Sequence, residues 1–124
     1  MIRRVSQVLM AALLVGGAAG ASACSSSDTQ AVINVADSVI IDVRTAEEFA
    51  GGHLDGAVNL NVEDGSLQGA LASLDPNASY IVYCRSGRRS AIAAEQMTAA
   101  GFANVTDLGS VEDASRATSI AIVN

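Results

Sequence analysis

Lysine and tryptophan are missing from this sequence; proline and histidine occur once each and cysteine twice. Positive charge rests on seven arginines alone, against thirteen aspartates and glutamates, for a formal net charge of −6 over 124 residues. That balance excludes a nucleic-acid binder, because affinity for a phosphate backbone needs distributed Lys and Arg. Aromatics are limited to two Tyr and two Phe, so the core has to be aliphatic. The apolar run at the N-terminus is too short and too rich in glycine for a permanent membrane span. No internal repeat is visible, and the length left after that run suits one small domain.

The N-terminal stretch MIRRVSQVLMAALLVGGAAGASAC begins with Arg3 and Arg4, continues through an Ala-, Leu- and Val-rich run, and places Ala21-Ser22-Ala23 before Cys24. Basic start, apolar middle and small residues at the cut are the order of a secretory signal, so residues 1–23 are expected to be a signal peptide. The cysteine after small residues resembles the lipobox of bacterial lipoproteins, with Ala21 where a Leu is usual. The resemblance implies lipid on Cys24 and an extracytoplasmic protein anchored to the cell membrane as a lipoprotein. Ala-Ser-Ala suits ordinary secretion at the same bond. Residues 24–31, polar and Ser-rich, read as a tether, and 32–124 as the domain. Without the signal, five Arg face thirteen acids, a formal charge of −8. Small secreted domains often use disulfides. With Cys24 consumed by lipid, Cys84 has no partner within the chain, and a single thiol in an oxidising compartment suggests chemistry.

Along the domain, VIID reads as a buried strand. Thr45 and Glu48 have the spacing of a capping box, predicting a short helix with Phe49 turned inward and a left-handed stop at Gly51-Gly52. GHLDG reads as a turn and AVNL as a short strand. Leu67, Leu71 and Leu74 recur at spacings of four and three, predicting a one-faced helix. YIVYC is a second strong β run ending at Cys84, SAIAAEQMTAAG a helix closed by Gly101, ANVTDL a third strand and SVEDASRA a short helix. The tail TSIAIVN fits strand or coil. Strands alternating with helices of this size predict an α/β fold, a mainly parallel central sheet flanked by helices. Sites in such sheets form at the carboxyl ends of strands, where Cys84 falls.

Around Cys84 the chain gathers what it elsewhere lacks. YCRSGRRS brings Arg85, Arg88 and Arg89, three of the seven arginines, within five residues of the thiol. The helix behind it offers unpaired amides and the positive end of its dipole. The turn of residues 85 to 89 can curl its amides into an anion nest, and Gly87 permits the backbone angles of a tight curl. All of this favours thiolate over thiol and lowers the pKa of Cys84. The same field would accept an anionic substrate and stabilise a leaving group.

VIIDVRTAEEFAGGHLDGAVNL followed by IVYCRSGRRS resembles the rhodanese-like domain family. Asp42-Val43-Arg44, Glu48-Phe49, Gly52-His53-Leu54, Gly56-Ala57-Val58-Asn59, the Cys84 loop and Gly101 onward match in order, from about Val39 to Leu108. The resemblance implies a single-domain sulfurtransferase with Cys84 as nucleophile. Arg85, Ser86, Gly87, Arg88 and Arg89 would form the substrate-binding loop. Its partners would be a small anionic sulfur donor such as thiosulfate, and cyanide or a thiol as acceptor. No metal and no organic cofactor are implied. One stretch departs from the family: DLGSVEDASRATSIAIVN lacks the usual Gly-Gly turn and Trp-bearing helix, so the last helix is expected to be shorter or differently packed.

Plainer roles compete at several positions. Arg85 and Arg88 could be solvated surface charge. His53 could pair with Cys84, but its turn reads as structural. Asp42 and Arg44 are expected to hold neighbouring loops, Arg44 by pairing with Glu48. Glu47 and Glu48 are no glycosidase pair, since adjacent helix residues face different ways. A sulfur carrier or interaction module with little turnover is one alternative function. Phosphatase or arsenate reductase chemistry is another, because the dual-specificity phosphatases have a rhodanese-like fold. Their loop holds five residues between Cys and Arg, against four between Cys84 and Arg89.

Overall fold

Strand β1 (Ser38–Asp42) is the centre from which the domain is built. A computed structural model describes residues 33–124, which form one compact unit. The expected signal peptide, the tether and Cys24 lie outside the described residues. After β1 come α1 (Ala46–Ala50), β2 (His53–Leu54), β3 (Val58–Asn59) and α2 (Ser66–Ala70). Then follow β4 (Ser79–Cys84), α3 (Arg88–Ala99), β5 (Asn104–Ser110), α4 (Val111–Thr118) and β6 (Ile122–Val123). Four parallel strands form a sheet in the order β3-β1-β4-β5. This is the predicted α/β architecture, with the two strongest β runs adjacent at its middle.

The period-two alternation of β4 divides its side chains between two layers. Tyr80, Val82 and Cys84 join Ile41, Val43, Leu67, Ala93, Met97 and Phe102 on one face. Ile81 and Tyr83 join Ile40, Leu54 and Ala114 on the other. The core is largely aliphatic as expected, yet Tyr80, Tyr83 and Phe102 are buried in it. Helix α3 buries Ser90, Ala93 and Met97, one stripe at spacings of three and four, against the Cys84 face. β4 and β5 lose register between Val82 and Cys84, where Val82 pairs with Asp107 but Cys84 with Ser110. Such irregularities re-aim side chains, and this one stands beside the thiol.

Several local expectations change. The capping box at Thr45 and Glu48 forms with both of its hydrogen bonds. The left-handed stop does not: Gly51 is right-handed at φ −81, and the positive φ comes one residue later, 150° at Gly52. Phe49 is only half-buried, its ring stacked on His53 at 3.7 Å. The stretch expected as a turn contains β2, and the undecided tail supplies its antiparallel partner β6, pairing His53 with Val123 and Leu54 with Ile122. Leu67 lies in a helix of only one turn and a half, which tightens into a 3-10 turn at Leu71–Ser73. Helix α4, capped by the Ser110 hydroxyl on the Asp113 amide, buries Ala114 and Thr118. Its polar outer face carries Glu112, Asp113 and Arg116.

Candidate active site

Beneath the site lies a buried polar network at the carboxyl end of β1. Asp42 is wholly buried and Arg44 is 6% exposed. The Arg44 Nε and Nη2 donate to the Asp42 carboxylate, with Nη2 at 2.6 Å from Oδ2, and the Arg44 amide donates to Oδ1 at 2.9 Å. Arg44 was expected to pair with Glu48. Two residues apart at the end of an extended strand, Asp42 and Arg44 instead project to the same side, and the pair closes locally. Arg44 Nη2 also donates to the Gly52 carbonyl at 2.6 Å, and the Asn59 amide donates to the carbonyls of Asp42 and Arg44. The Tyr83 hydroxyl accepts from the Leu54 amide at 3.0 Å, and burial pushes this phenol well above its ordinary range. The expectation that Asp42 and Arg44 hold neighbouring loops is met by these bonds.

Cys84 ends β4 with no exposed surface. The loop turns at Gly87, whose φ of 103° lies in the left-handed region, and α3 begins at Arg88. The Gly87 amide donates to Cys84 Sγ at 2.9 Å, and the Ser90 hydroxyl oxygen lies 3.6 Å from it. Burial pushes the thiol pKa up. The Ser90 hydroxyl together with the amides of Ser90, Gly87 and Ser86 outweighs burial, and the net shift is down. Among the described residues this sulfur is the one free thiol. Sequence reasoning missed Ser90, which sits one turn into α3 on its buried stripe. Its position directly after the arginine-rich loop was the available signal.

The loop arginines separate. Arg89 Nη1 and Nη2 make a bidentate pair with Glu48 at 2.8 and 3.0 Å, and Nη1 lies 3.5 Å from Glu63. Glu48 is also the capping-box residue of α1, accepting from the Thr45 amide and hydroxyl. One carboxylate therefore fixes both the start of α1 and the end of the Cys84 loop. Ser86, Arg88 and Arg89 line a cavity of about 320 Å³ with Val62, Glu63 and Ile92. Arg85 lies instead on a neighbouring cavity with Glu112 and Ile122. Of the five residues expected to bind substrate, three share a cavity, Gly87 gives its amide to the sulfur, and Arg85 faces elsewhere. His53 does not approach Cys84 through any hydrogen bond: its Nδ1 is 2.8 Å from the Phe49 carbonyl, in keeping with a structural role.

The Arg89 guanidinium holds the Glu48 carboxyl down at about 2, although partial burial opposes it. A depressed folded-state pKa contributes stability that is present above the unfolded value near 4.5 and is lost as pH falls through about 2. Glu48→Gln is therefore expected to lower stability at neutral pH by about 2 kcal/mol. It should also flatten the acid limb between those two values, as read by urea melts across pH.

Residues 25–115 match the family model of the rhodanese-like domain, and the chain belongs to that family. The thiosulfate sulfurtransferase PspE of Escherichia coli (strain K12) is 34% identical over 73 residues, 59% of this chain and 70% of that protein. The thiosulfate sulfurtransferase GlpE of Shewanella oneidensis is 36% identical over 69 residues, 56% of this chain and 66% of that one. YrkF of Bacillus subtilis (strain 168), provisionally named a sulfur carrier protein, is 35% identical over 69 residues, and the match spans only 36% of its length. Among solved structures, the rhodanese-like domain of Alr3790 from Anabaena sp. superposes with a TM-score of 0.61 at 26% identity, covering 69% of this chain and 80% of that one. A rhodanese from E. coli solved with anions gives 0.55 at 33% identity, covering 61% and 89%.

Proposed function

We propose that this chain is a sulfurtransferase that carries sulfur as a persulfide on Cys84. The observation that carries the reading is a thiol at the end of β4 whose sulfur is hydrogen-bonded by the Gly87 amide, in a loop feeding the start of α3. The Cys84 thiolate attacks the outer sulfur of thiosulfate. The bond between the two donor sulfurs breaks, and sulfite leaves with the bonding pair. The amides that favour the thiolate then favour the anionic persulfide in its place. An acceptor, cyanide or a thiol, takes the outer sulfur and returns Cys84 as thiolate, which is two-step covalent catalysis. Initial rates with thiosulfate and cyanide varied together should give parallel double-reciprocal lines. Intersecting lines would mean a single ternary complex and remove the persulfide route.

Ser90 supports the nucleophile in this reading. While Cys84 is a thiol, the Ser90 hydroxyl donates to the Gly87 carbonyl at 3.2 Å. On ionisation it can turn to the sulfur. In Ser90→Ala the midpoint of the thiolate absorbance should move up. Sulfite release at neutral pH should fall several-fold and recover as pH rises. An unmoved midpoint would leave Ser90 a packing residue.

A sulfur carrier with little turnover is the second reading, favoured by the likeness to YrkF and by the complete burial of the sulfur. It predicts one sulfite per chain and then none. Phosphatase-like chemistry has less support, because it needs an arginine turned to the oxyanion and Arg89 is engaged by Glu48. The proposal extends to the N-terminus: residues 1–23 are removed, Cys24 is lipidated, and residues 24–31 tether the domain outside the cell membrane. The full chain expressed in a bacterium should enter the detergent phase and its Cys24→Ala variant the aqueous one. Equal aqueous partition would dismiss the anchor.

A further inference from the structure

The cavity over the Cys84 loop holds charges of both signs. Its cations are Arg89, held by Glu48, and Arg88, which makes no ion pair among the described residues; its anion is Glu63. Glu63 is the weaker partner of Arg89, at 3.5 Å with its side chain 60% exposed, since Glu48 already holds that guanidinium by two bonds. A dianion such as thiosulfate gains nothing from a carboxylate in its binding cavity. The apolar part of the lining is Val62 and Ile92, and Ile92 is 42% exposed. A volume of about 320 Å³ is at the small end for a ligand site.

We infer that this cavity is the acceptor subsite and that it selects a zwitterionic α-amino-acid thiol, its carboxylate on Arg88 and its ammonium on Glu63. The inference rests on the persulfide reading for its chemistry. The acceptor thiol attacks the outer sulfur of the Cys84 persulfide and forms a new sulfur–sulfur bond. The old bond breaks, and its electron pair returns to Cys84 as thiolate. The proton brought in on the acceptor leaves on the acceptor's own persulfide. No outside oxidant or reductant is needed. Each charged contact at this partly exposed site should contribute roughly a five- to tenfold preference.

Binding is read first, free of catalysis, by titrating Cys84→Ser with unreactive S-methyl-L-cysteine and following backbone amide resonances. The inference predicts saturable shifts at Glu63, Arg88 and Ile92. Binding should weaken five- to tenfold for the N-acetyl ligand, and that loss should vanish in Glu63→Gln. The methyl ester should weaken similarly, a loss that vanishes in Arg88→Gln. The kinetic arm uses wild type charged with thiosulfate. The ratio of its L-cysteine rate to its cyanide rate, at equal thiolate, should fall five- to tenfold in Glu63→Gln. No saturable shift, or equal binding of all three ligands, would overturn the subsite and leave Glu63 a counter-charge to Arg89. Saturable, charge-selective binding without any sulfur gained on Cys84 would uphold the subsite and remove the sulfurtransferase reading instead.

Discussion

Cys84→Ser should lose sulfite release from thiosulfate by roughly four orders of magnitude or more, the usual scale for deleting a covalent nucleophile. Its fold should survive. The Gly87 amide that now donates to the sulfur keeps an acceptor in the serine hydroxyl, and the volume change at this buried position is small. Circular dichroism and a urea melt close to wild type would show that activity, and not structure, was removed. The charge around the loop alone should not rescue turnover. Arg89 is neutralised by Glu48 and Arg85 lies on a different cavity, while Arg88, which stays in the cavity, can hold an anion but supplies no nucleophile.

Arg44→Met should be the most damaging change to stability, at about 3–5 kcal/mol, because it strands the wholly buried Asp42 carboxylate without its cation. For a domain of this size the melting temperature should fall by roughly 15 °C or more. Adding Asp42→Asn to that variant removes the unpaired charge and should recover part of the loss, since the amide oxygen can still accept from the residue 44 amide. Urea melts of the two variants decide it. A double variant no more stable than Arg44→Met would mean that packing around the guanidinium, including its place over the Tyr83 ring at 5.7 Å, outweighs the charge.

Both predictions concern residues that were visible in the sequence, though not equally understood there. The β runs at VIID and YIVYC, the capping box and the helix after the Cys84 loop are local signals, and each sits where its pattern placed it. Cys84 at a strand end followed by a helix was legible for the same reason. Pairings across the chain were not. Arg89 meets Glu48 over 41 residues of separation, a contact between α3 and α1 that leaves no periodic signal in the sequence. Arg44, assigned to Glu48 by nearness in sequence, had a better partner in Asp42. The tail reads as strand only because β2 supplies a partner, and two-residue strands carry no pattern of their own. Glu63 and Ile92 drew no notice, since a surface carboxylate and a helix isoleucine acquire meaning only from the cavity they share with Arg88.

A persulfide on Cys84 would be seen as added mass, by intact mass spectrometry of the domain after incubation with thiosulfate. The expected result is a gain of one sulfur atom with one sulfite released per chain, absent in Cys84→Ser and reversed by cyanide. An unchanged mass with no sulfite would contradict it and leave the buried Cys84 thiol without a part in sulfur transfer from thiosulfate.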